Sequence, residues 1–263
     1  MIQSAIRDGR VSTHSIAPAQ VIRGAGAWNQ SFTAIQSLTQ RPLLLGRSFA
    51  TQSLRDELVR DLRSLSLSVT PQTLDYDCCE HDLQRLESAF STHGCDAVIA
   101  AGGGKVLDAG KLLAHRKGVA CITVPLSAAT CAGWTALSNF YSPSGAFQGD
   151  QALDRCPDLL VFDHDLLLHA PARTLASGIA DALAKWYEAS VSSGSSRDGV
   201  IQQAVQMARV LRDQLLLDSL DAMAHPGGEA WQRVVEACGL TAGVIGGLGG
   251  ARCRTVAAHA VHN

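Results

Sequence analysis

The stretch VIAAGGGKVLDAGK (98–111) places three glycines between an apolar run and a helical pattern. Glycines let a phosphate approach the backbone, and a helix start offers free N–H groups and the positive end of the helix dipole. Lys105 adds a cation, and Asp108 can hold the turn or a ribose hydroxyl. The spacing matches neither a Walker A loop nor GxGxxG. The residues alone favour phosphate binding and leave an ordinary tight turn as the alternative.

A second candidate, VPLSAATCAGWTALSNFY (124–141), combines small, polar and aromatic residues directly after an apolar run. The carboxyl end of a strand in a parallel sheet is where ligands bind in many α/β proteins. An ordinary loop explains the same composition equally well.

The stretch APARTLASGIADALAKWYEA (170–189) places Asp181 in an apolar helical pattern, with Lys185 and Glu188 on the same helix face. An acid that faces a core needs a partner, often a cation or a metal. A solvated helix face or a local salt bridge is the commoner explanation for such a pattern. His259, within RTVAAHAVHN (254–263), is likewise more often a core histidine than a ligand.

Alternating strand and helix patterns must position these residues. The predicted strands lie at 41–46, 65–70, 95–104 (where the strand runs into the glycines), 119–125 and 157–163, and the predicted helices at 48–65, 80–94 and 105–118. This alternation predicts a parallel sheet covered on both faces. A hairpin is predicted around the turn PSGA (143–146), and only helical patterns follow Asp163. We therefore expect an α/β domain at 1–163 and an all-helical domain at 164–263.

The composition limits the class of protein. The chain is 46% hydrophobic and 17% charged with a net charge of −2, which gives no electrostatic basis for binding nucleic acid or an anionic membrane. No stretch has the length of a membrane span or the pattern of a signal peptide. The eight cysteines show no CxxC pair, as expected for reduced thiols. We expect a cytoplasmic globular protein that acts on a small molecule.

Several segments occur together in an informative order: GGGKVLDAGK, ITVPLSAATCAGWTALS, PDLLVFDHDLLLHAPARTLASGIADALAKWYEA and AAHAVHN. In that order the chain resembles the glycerol dehydrogenase branch of the iron-containing (group III) alcohol dehydrogenases, which share their fold with dehydroquinate synthase. ATCAGWTALS and GGLGGARCRTVAAHAVHN are most similar to the bacterial hydroxycarboxylate dehydrogenases of this branch, which reduce 2-oxo acids with NADPH. The resemblance implies a Rossmann-like domain, a helical domain and an active site between them.

The resemblance also implies roles for individual residues. The pyrophosphate of the cofactor would bind at Gly102, Gly103, Gly104 and Lys105, with Asp108 nearby, and the nicotinamide end at Thr130, Thr135 and Leu137. The divalent metal of this branch would be held by Asp181 and His259. Family members continue to a further histidine that completes the metal site, and this chain ends before it. Lys185 stands where iron-dependent relatives have a fourth ligand, which indicates a zinc-type set of three ligands.

Two departures from the family pattern bear on specificity. NAD-specific relatives have an acid after the strand that ends at Gly46, whereas this chain has Arg47 and Ser48, which suit the 2′-phosphate of NADP. Cys131 replaces an aspartate that meets a substrate hydroxyl in glycerol dehydrogenases. Lys185 can instead pair with a substrate carboxylate. Asp181, Lys185 and Cys131 are therefore the expected catalytic residues.

The expected function is a metal-dependent NAD(P)(H) oxidoreductase that interconverts a small 2-oxo acid and a 2-hydroxy acid. The alternatives are a glycerol or polyol dehydrogenase, and a truncated, non-catalytic nucleotide-binding remnant. A missing helical layer would expose apolar surface, so we expect association into a homo-oligomer.

Overall fold

The computed structural model describes residues 13–253 and contains a six-stranded parallel sheet with the strand order β1-β8-β5-β4-β2-β3. The strands of the sheet are β1 (Gln20–Gly24), β2 (Pro42–Gly46), β3 (Thr70–Thr73), β4 (Ala97–Gly102), β5 (Ala120–Pro125) and β8 (Leu159–Asp163). Strands β6 (Leu137–Tyr141) and β7 (Phe147–Ala152) form a separate antiparallel hairpin. The predicted α/β class and the predicted hairpin are confirmed.

Helices cover the sheet and make up the rest of the described chain. They are α1 (Ala27–Gln30), α2 (Phe32–Leu38), α3 (Gln52–Ser64), α4 (Glu80–Thr92), α5 (Gly104–Lys117), α6 (His164–Leu168), α7 (Ala172–Ser193), α8 (Gly199–Ala224), α9 (Glu229–Glu236) and α10 (Ala242–Gly249). A π-helical segment, Ala237–Thr241, joins α9 to α10. From His164 to Cys253, the last described residue, the chain forms no strand.

The sheet is apolar on both faces because β2, β4, β5 and β8 are almost fully buried. Leu44 and Ile99 pack on one face with residues of α1, α2 and α3, whereas Leu43 and Val98 pack on the other with α4 and α5. Side chains alternate between the two faces of a strand, so near-continuous apolar runs are what a doubly covered sheet requires.

The helical part packs around one buried face of α8. That face repeats at helical spacing through Ile201, Ala204, Ala208, Leu211 and Leu215. The same cluster includes side chains of β8 and of the loop after β5. Because this apolar cluster is shared between the sheet and the helices, the boundary at residue 163 stays a prediction.

The sequence misplaced one strand and missed another. Leu65, Leu67 and Val69 alternate as in a strand, but Leu65 is the C-cap of α3 and Ser66 adopts a positive φ of 65°. These residues therefore form the turn that brings the chain back to the sheet. The strand begins only at Thr70 and contains Pro71, which an edge strand tolerates. Strand β1, at the opposite edge, is short and half-exposed, which leaves little apolar pattern to detect.

No helix within residues 13–253 combines the length and apolar character needed to cross a membrane.

Candidate active site

The predicted glycine turn and the loop after β5 meet at the carboxyl edge of the sheet. Gly102, the last residue of β4, pairs with Pro125, the last residue of β5. The Leu126 N–H donates to the Gly102 carbonyl over 3.0 Å, which extends the pairing by one step. Residues 103–105 and 126–137 therefore leave the sheet side by side, at the edge where ligands bind in such folds.

Glycine is required in this turn because neighbouring side chains come close to the backbone. A Cβ on Gly102 would lie 2.7 Å from Cβ of Val106, and one on Gly104 would lie 2.9 Å from Cγ2 of Thr130. Gly103 is the N-cap of α5 and has no side chain to cover the first N–H groups. The turn is tight and also leaves the start of a helix bare, as the phosphate-binding prediction requires.

Lys105, the predicted phosphate cation, is engaged by an acid that the sequence reading missed. Its Nζ pairs with Oδ2 of Asp77 and lies 5.0 Å from the ring centroid of Tyr141. Asp77 is 2% exposed. A pyrophosphate at this turn would compete with Asp77 for the ammonium of Lys105. The run DYDCCEHD (75–82) is the only sequence signal for this loop, and it does not reveal the pairing.

A second buried acid holds that loop in place. The carboxylate of Asp82 accepts the N–H groups of Asp75 at 3.0 Å, Tyr76 at 2.8 Å and Asp77 at 3.1 Å. Burial alone would raise the pKa of Asp82, but the donated N–H groups lower it overall. The loop that carries Asp77 is thus fixed by an ionised carboxylate.

Asp108 takes part in a buried ion pair. Its Oδ1 lies 3.0 Å from Nζ of Lys111, and the two residues are 5% and 2% exposed. Burial raises the pKa of the Asp108 carboxyl, and the Lys111 ammonium opposes that rise. The same ammonium donates to the Thr135 carbonyl at 3.1 Å, to Thr135 Oγ1 at 3.2 Å and to the Leu137 carbonyl.

Lys111 therefore ties α5 to Thr135 and Leu137, two of the three positions predicted to meet the nicotinamide. Sequence reasoning missed this role. The available signal was a lysine three residues after Asp108 in an otherwise apolar helix.

Helix α7 brings Asp181 and Lys185 to the same edge. A Cβ on Gly178 would overlap the carbonyl oxygen of Ala128, so only glycine lets α7 pack this closely on the loop after β5. Asp181 lies nearly one turn further along the helix and Lys185 one turn after that. Lys185 is 5% exposed.

One cavity of about 100 Å³ brings together seven of the residues predicted for the site. Its lining consists of Asp108, Thr130, Cys131, Ala132, Thr135, Leu137, Asn139, Asp150, Asp181, Lys185 and Gly246. The cavity thus joins the predicted nicotinamide contacts to all of the expected catalytic residues. It also includes the cross-strand pair Asn139 and Asp150 of the hairpin, which sequence reasoning missed. Their signal was two polar residues facing each other across a predicted turn.

Cys131 forms an uncharged part of the cavity wall. It is 8% exposed, and burial raises the pKa of its thiol. The nearby Lys185 opposes this rise and Asp181 adds to it. The thiol is therefore protonated at neutral pH, when it is a weak nucleophile.

The residues predicted to select between NAD and NADP lie outside this cavity. Gly46 ends β2 in the buried sheet, whereas Arg47 and Ser48 are exposed in the loop that follows. The Ser48 Oγ accepts the N–H of Ala50 at 3.2 Å and caps a short 3-10 turn. Because a dinucleotide is extended, its adenosine end would lie apart from this cavity, and the role of Arg47 and Ser48 stays a prediction.

The predicted metal site falls partly outside the described residues. His259 and the neighbouring His262 lie in the segment after Cys253 that the structure does not describe. Between residues 13 and 253, no group of three or more His, Cys, Asp or Glu side chains could hold a metal ion. Of the two metal ligands predicted, Asp181 is among the described residues and lines the cavity.

Comparison with known proteins agrees with this geometry. Residues 18–164 match the family model described as iron-containing alcohol dehydrogenase. An uncharacterized oxidoreductase of Synechocystis sp. (strain PCC 6803) is 50% identical over 249 residues, which cover 95% of this chain and 64% of that protein. Hydroxycarboxylate dehydrogenase A of Escherichia coli K12 is 37% identical over 192 residues, which cover 71% of this chain and 53% of that enzyme.

Among solved structures, a probable glycerol dehydrogenase from Sinorhizobium meliloti 1021 superposes with a TM-score of 0.82 at 29% identity, covering 96% of this chain and 70% of that chain. With 64% of its length covered, the Synechocystis protein is spanned to less than two thirds by this chain. The family model covers more than half of the chain, including the sheet, the glycine turn and the loop after β5. The chain belongs to the iron-containing alcohol dehydrogenase family.

Proposed function

We propose that this chain is an NAD(P)(H) oxidoreductase that interconverts a small 2-oxo acid and the corresponding 2-hydroxy acid. The observation that carries the proposal is the cavity at the carboxyl edge, where Asp181, Lys185 and Cys131 lie together with the predicted nicotinamide contacts. The volume of this cavity, about 100 Å³, is on the scale of one small molecule.

The glycine turn would bind the cofactor pyrophosphate through the bare start of α5. Thr130, Thr135 and Leu137 would contact the nicotinamide end, and the buried ammonium of Lys111 holds the last two in place. Hydride transfer requires the nicotinamide and the substrate carbon to be held in contact, so this fixed segment sets the geometry of the reaction.

Lys185 would recognise the substrate carboxylate. Its side chain is buried at the cavity, so an ion pair formed there is screened less than one at the surface. The neutral thiol of Cys131 offers no carboxylate to a polyol hydroxyl, and it does not repel an acidic substrate. These two residues together favour an oxo acid over glycerol.

Asp181, with His259, would hold a divalent metal, zinc rather than iron, because Lys185 occupies the position of the additional iron ligand. The carboxylate of Asp181 is a normal ligand for such a metal, and Asp181 lines the cavity. A divalent metal polarises the substrate oxygen when bound.

The proposal includes NADP(H) as the preferred cofactor, argued from Arg47 and Ser48.

The proposal also includes a cytoplasmic location and a homo-oligomeric state. All eight cysteines are free and buried, as in proteins of reducing compartments. Leu216, Leu217 and Leu220 of α8 are 63%, 83% and 86% exposed, which is apolar surface that a second copy could cover.

A glycerol or polyol dehydrogenase is the second candidate, and the similarity to a probable glycerol dehydrogenase favours it. Activity assays with NADPH and 2-oxobutyrate or 2-oxoglutarate, and with glycerol and NAD(P)⁺, separate the two. Activity on glycerol alone would refute the oxo-acid proposal. Cofactor binding without activity on either substrate would support a non-catalytic nucleotide-binding protein.

The Lys185→Ala variant tests the substrate class directly. We expect KM for the 2-oxo acid to rise about tenfold or more, since a charge-assisted hydrogen bond to the substrate is lost. NADPH affinity should not change. Arg209→Ala, an exposed arginine on α8, is the matched control for the loss of a positive charge. An unchanged KM for the oxo acid in Lys185→Ala would rule out the assigned role.

A further inference from the structure

Arg55 of α3 lies beneath the loop that follows β2. It is only 3% exposed, and its side chain packs against the Cα of Gly46, where any Cβ would overlap it. The guanidinium donates to the Ser48 carbonyl at 2.9 Å, to Thr51 Oγ1 and to Gln52 Oε1 at 2.6 Å. One buried arginine thus fixes both ends of the loop at 47–51.

The acceptors of Arg55 are all neutral oxygens. Within the described part of the chain, Arg55 forms no ion pair with an Asp or Glu side chain. Asp56 is reached only through Gln52, whose amide donates to it at 2.7 Å. Burial lowers the pKa of Arg55, and Asp56 opposes that change.

A buried cation without a carboxylate partner is unfavourable unless something else uses its charge. Arg60 of the same helix shows the ordinary arrangement, since its side chain is 70% exposed and pairs with Glu57. The position of Arg55 is also significant. The carboxyl end of β2 is where a Rossmann-type domain distinguishes a ribose hydroxyl from a ribose phosphate.

We propose that Arg55 is a positioning residue for cofactor specificity: it fixes the loop at 47–51 and supplies a positive charge behind it, so that the loop favours the 2′-phosphate of NADP(H). Arg47 and Ser48 are the exposed groups that would contact the phosphate. The inference rests on the proposed function, and it adds a buried determinant to the exposed one.

The test measures dissociation constants for NADPH and NADH with the full chain, by nicotinamide fluorescence. Adenosine 2′,5′-bisphosphate and 5′-AMP serve as probes of the adenosine end alone. We expect Arg55→Met to weaken NADPH and the bisphosphate roughly tenfold, as loss of one charge at intermediate dielectric implies, while NADH and 5′-AMP change by less than about threefold. Arg55→Lys should retain most of the preference for NADPH over NADH because it keeps the positive charge.

Two further variants separate charge from structure. Arg55→Gln keeps amide donors for the loop without the charge, so it should lose the NADPH preference even if Arg55→Met unfolds. Arg60→Met removes an exposed charge from the same helix and should leave both cofactors unaffected. Circular dichroism checks that each variant is folded.

Each result has a defined meaning. Equal weakening of NADPH and NADH in Arg55→Gln, or no change in their ratio, would overturn the inference and leave the proposed function standing. Failure of the unaltered chain to bind either dinucleotide would overturn the proposed function, and the inference with it.

Discussion

The buried pair of Lys111 and Asp108 makes a strong prediction about stability. Lys111→Met keeps most of the side-chain volume but leaves the Asp108 carboxylate, 5% exposed, without its ammonium partner. Removing one member of a buried ion pair costs about 3–5 kcal/mol, because the other charge stays buried and uncompensated. The Thr135 and Leu137 carbonyls lose a donor as well. Since domains of this kind are stable by about 5–15 kcal/mol, the variant should be severely destabilised.

The cost should depend on pH in a defined direction. Burial raises the pKa of Asp108, and Lys111 opposes the rise, so Lys111→Met should raise this pKa further. For an acid whose folded pKa exceeds its unfolded value, stability is greatest below the unfolded pKa and is lost as pH rises through the folded pKa. The variant should therefore lose most at neutral pH and recover relative to the unaltered chain as pH falls toward the ordinary pKa of an aspartate.

Urea unfolding followed by far-UV circular dichroism, between pH 5 and 8, measures this effect. Adding Asp108→Leu to Lys111→Met should restore much of the lost stability, since the uncompensated charge is then gone. Lys117→Met on the same helix is the control. It removes a bond to Ser91 Oγ outside the cavity and should cost less than about 1 kcal/mol. A loss below about 1 kcal/mol in Lys111→Met, or one that does not change with pH, would refute the reasoning.

Two further variants test the approach of α7 and the glycine turn. Gly178→Ala should cost about 1–3 kcal/mol and lower Tm, because its Cβ overlaps the Ala128 carbonyl; an unchanged Tm would contradict the observed packing. Asp77→Asn should strengthen NADPH binding by freeing the ammonium of Lys105, whereas Lys105→Met should weaken it. Titration of both variants with NADPH checks this. Weaker binding in Asp77→Asn would show that Asp77 matters more for holding its loop than for occupying the charge of Lys105.

The sequence predicted the parts of the fold in which local pattern and tertiary environment agree. Strands β2, β4, β5 and β8 are buried on both faces, so their apolar runs are long and bounded by turns. The edge strands gave no such signal. Strands β3 (TPQT) and β1 (QVIRG) lie at the edges of the sheet and are only partly buried. Each therefore needs few apolar side chains, and its sequence carries little strand pattern.

The candidate site was predicted on a different basis. Lys185, Thr130 and Cys131 were chosen by resemblance, and the structure gathers them in one cavity because Gly178 lets α7 approach. Their partners could not be foreseen. The pairing of Lys105 with Asp77 and the bonds from Lys111 to Thr135 and Leu137 join segments far apart in sequence, so the local pattern does not reveal them.

The pairing of the cationic side chains bears on where a 2′-phosphate could be distinguished from a ribose hydroxyl. Among the described residues near the carboxyl edge, the ammonium groups of Lys105 and Lys111 already pair with Asp77 and Asp108. Arg55 meets only neutral oxygens. A pyrophosphate at the turn would thus rely mainly on the N–H groups and dipole of α5, which NAD and NADP engage alike. Under the proposed role of Arg55, discrimination between the two cofactors would come from the end of β2, where the positive charge of Arg55 is not matched by a carboxylate.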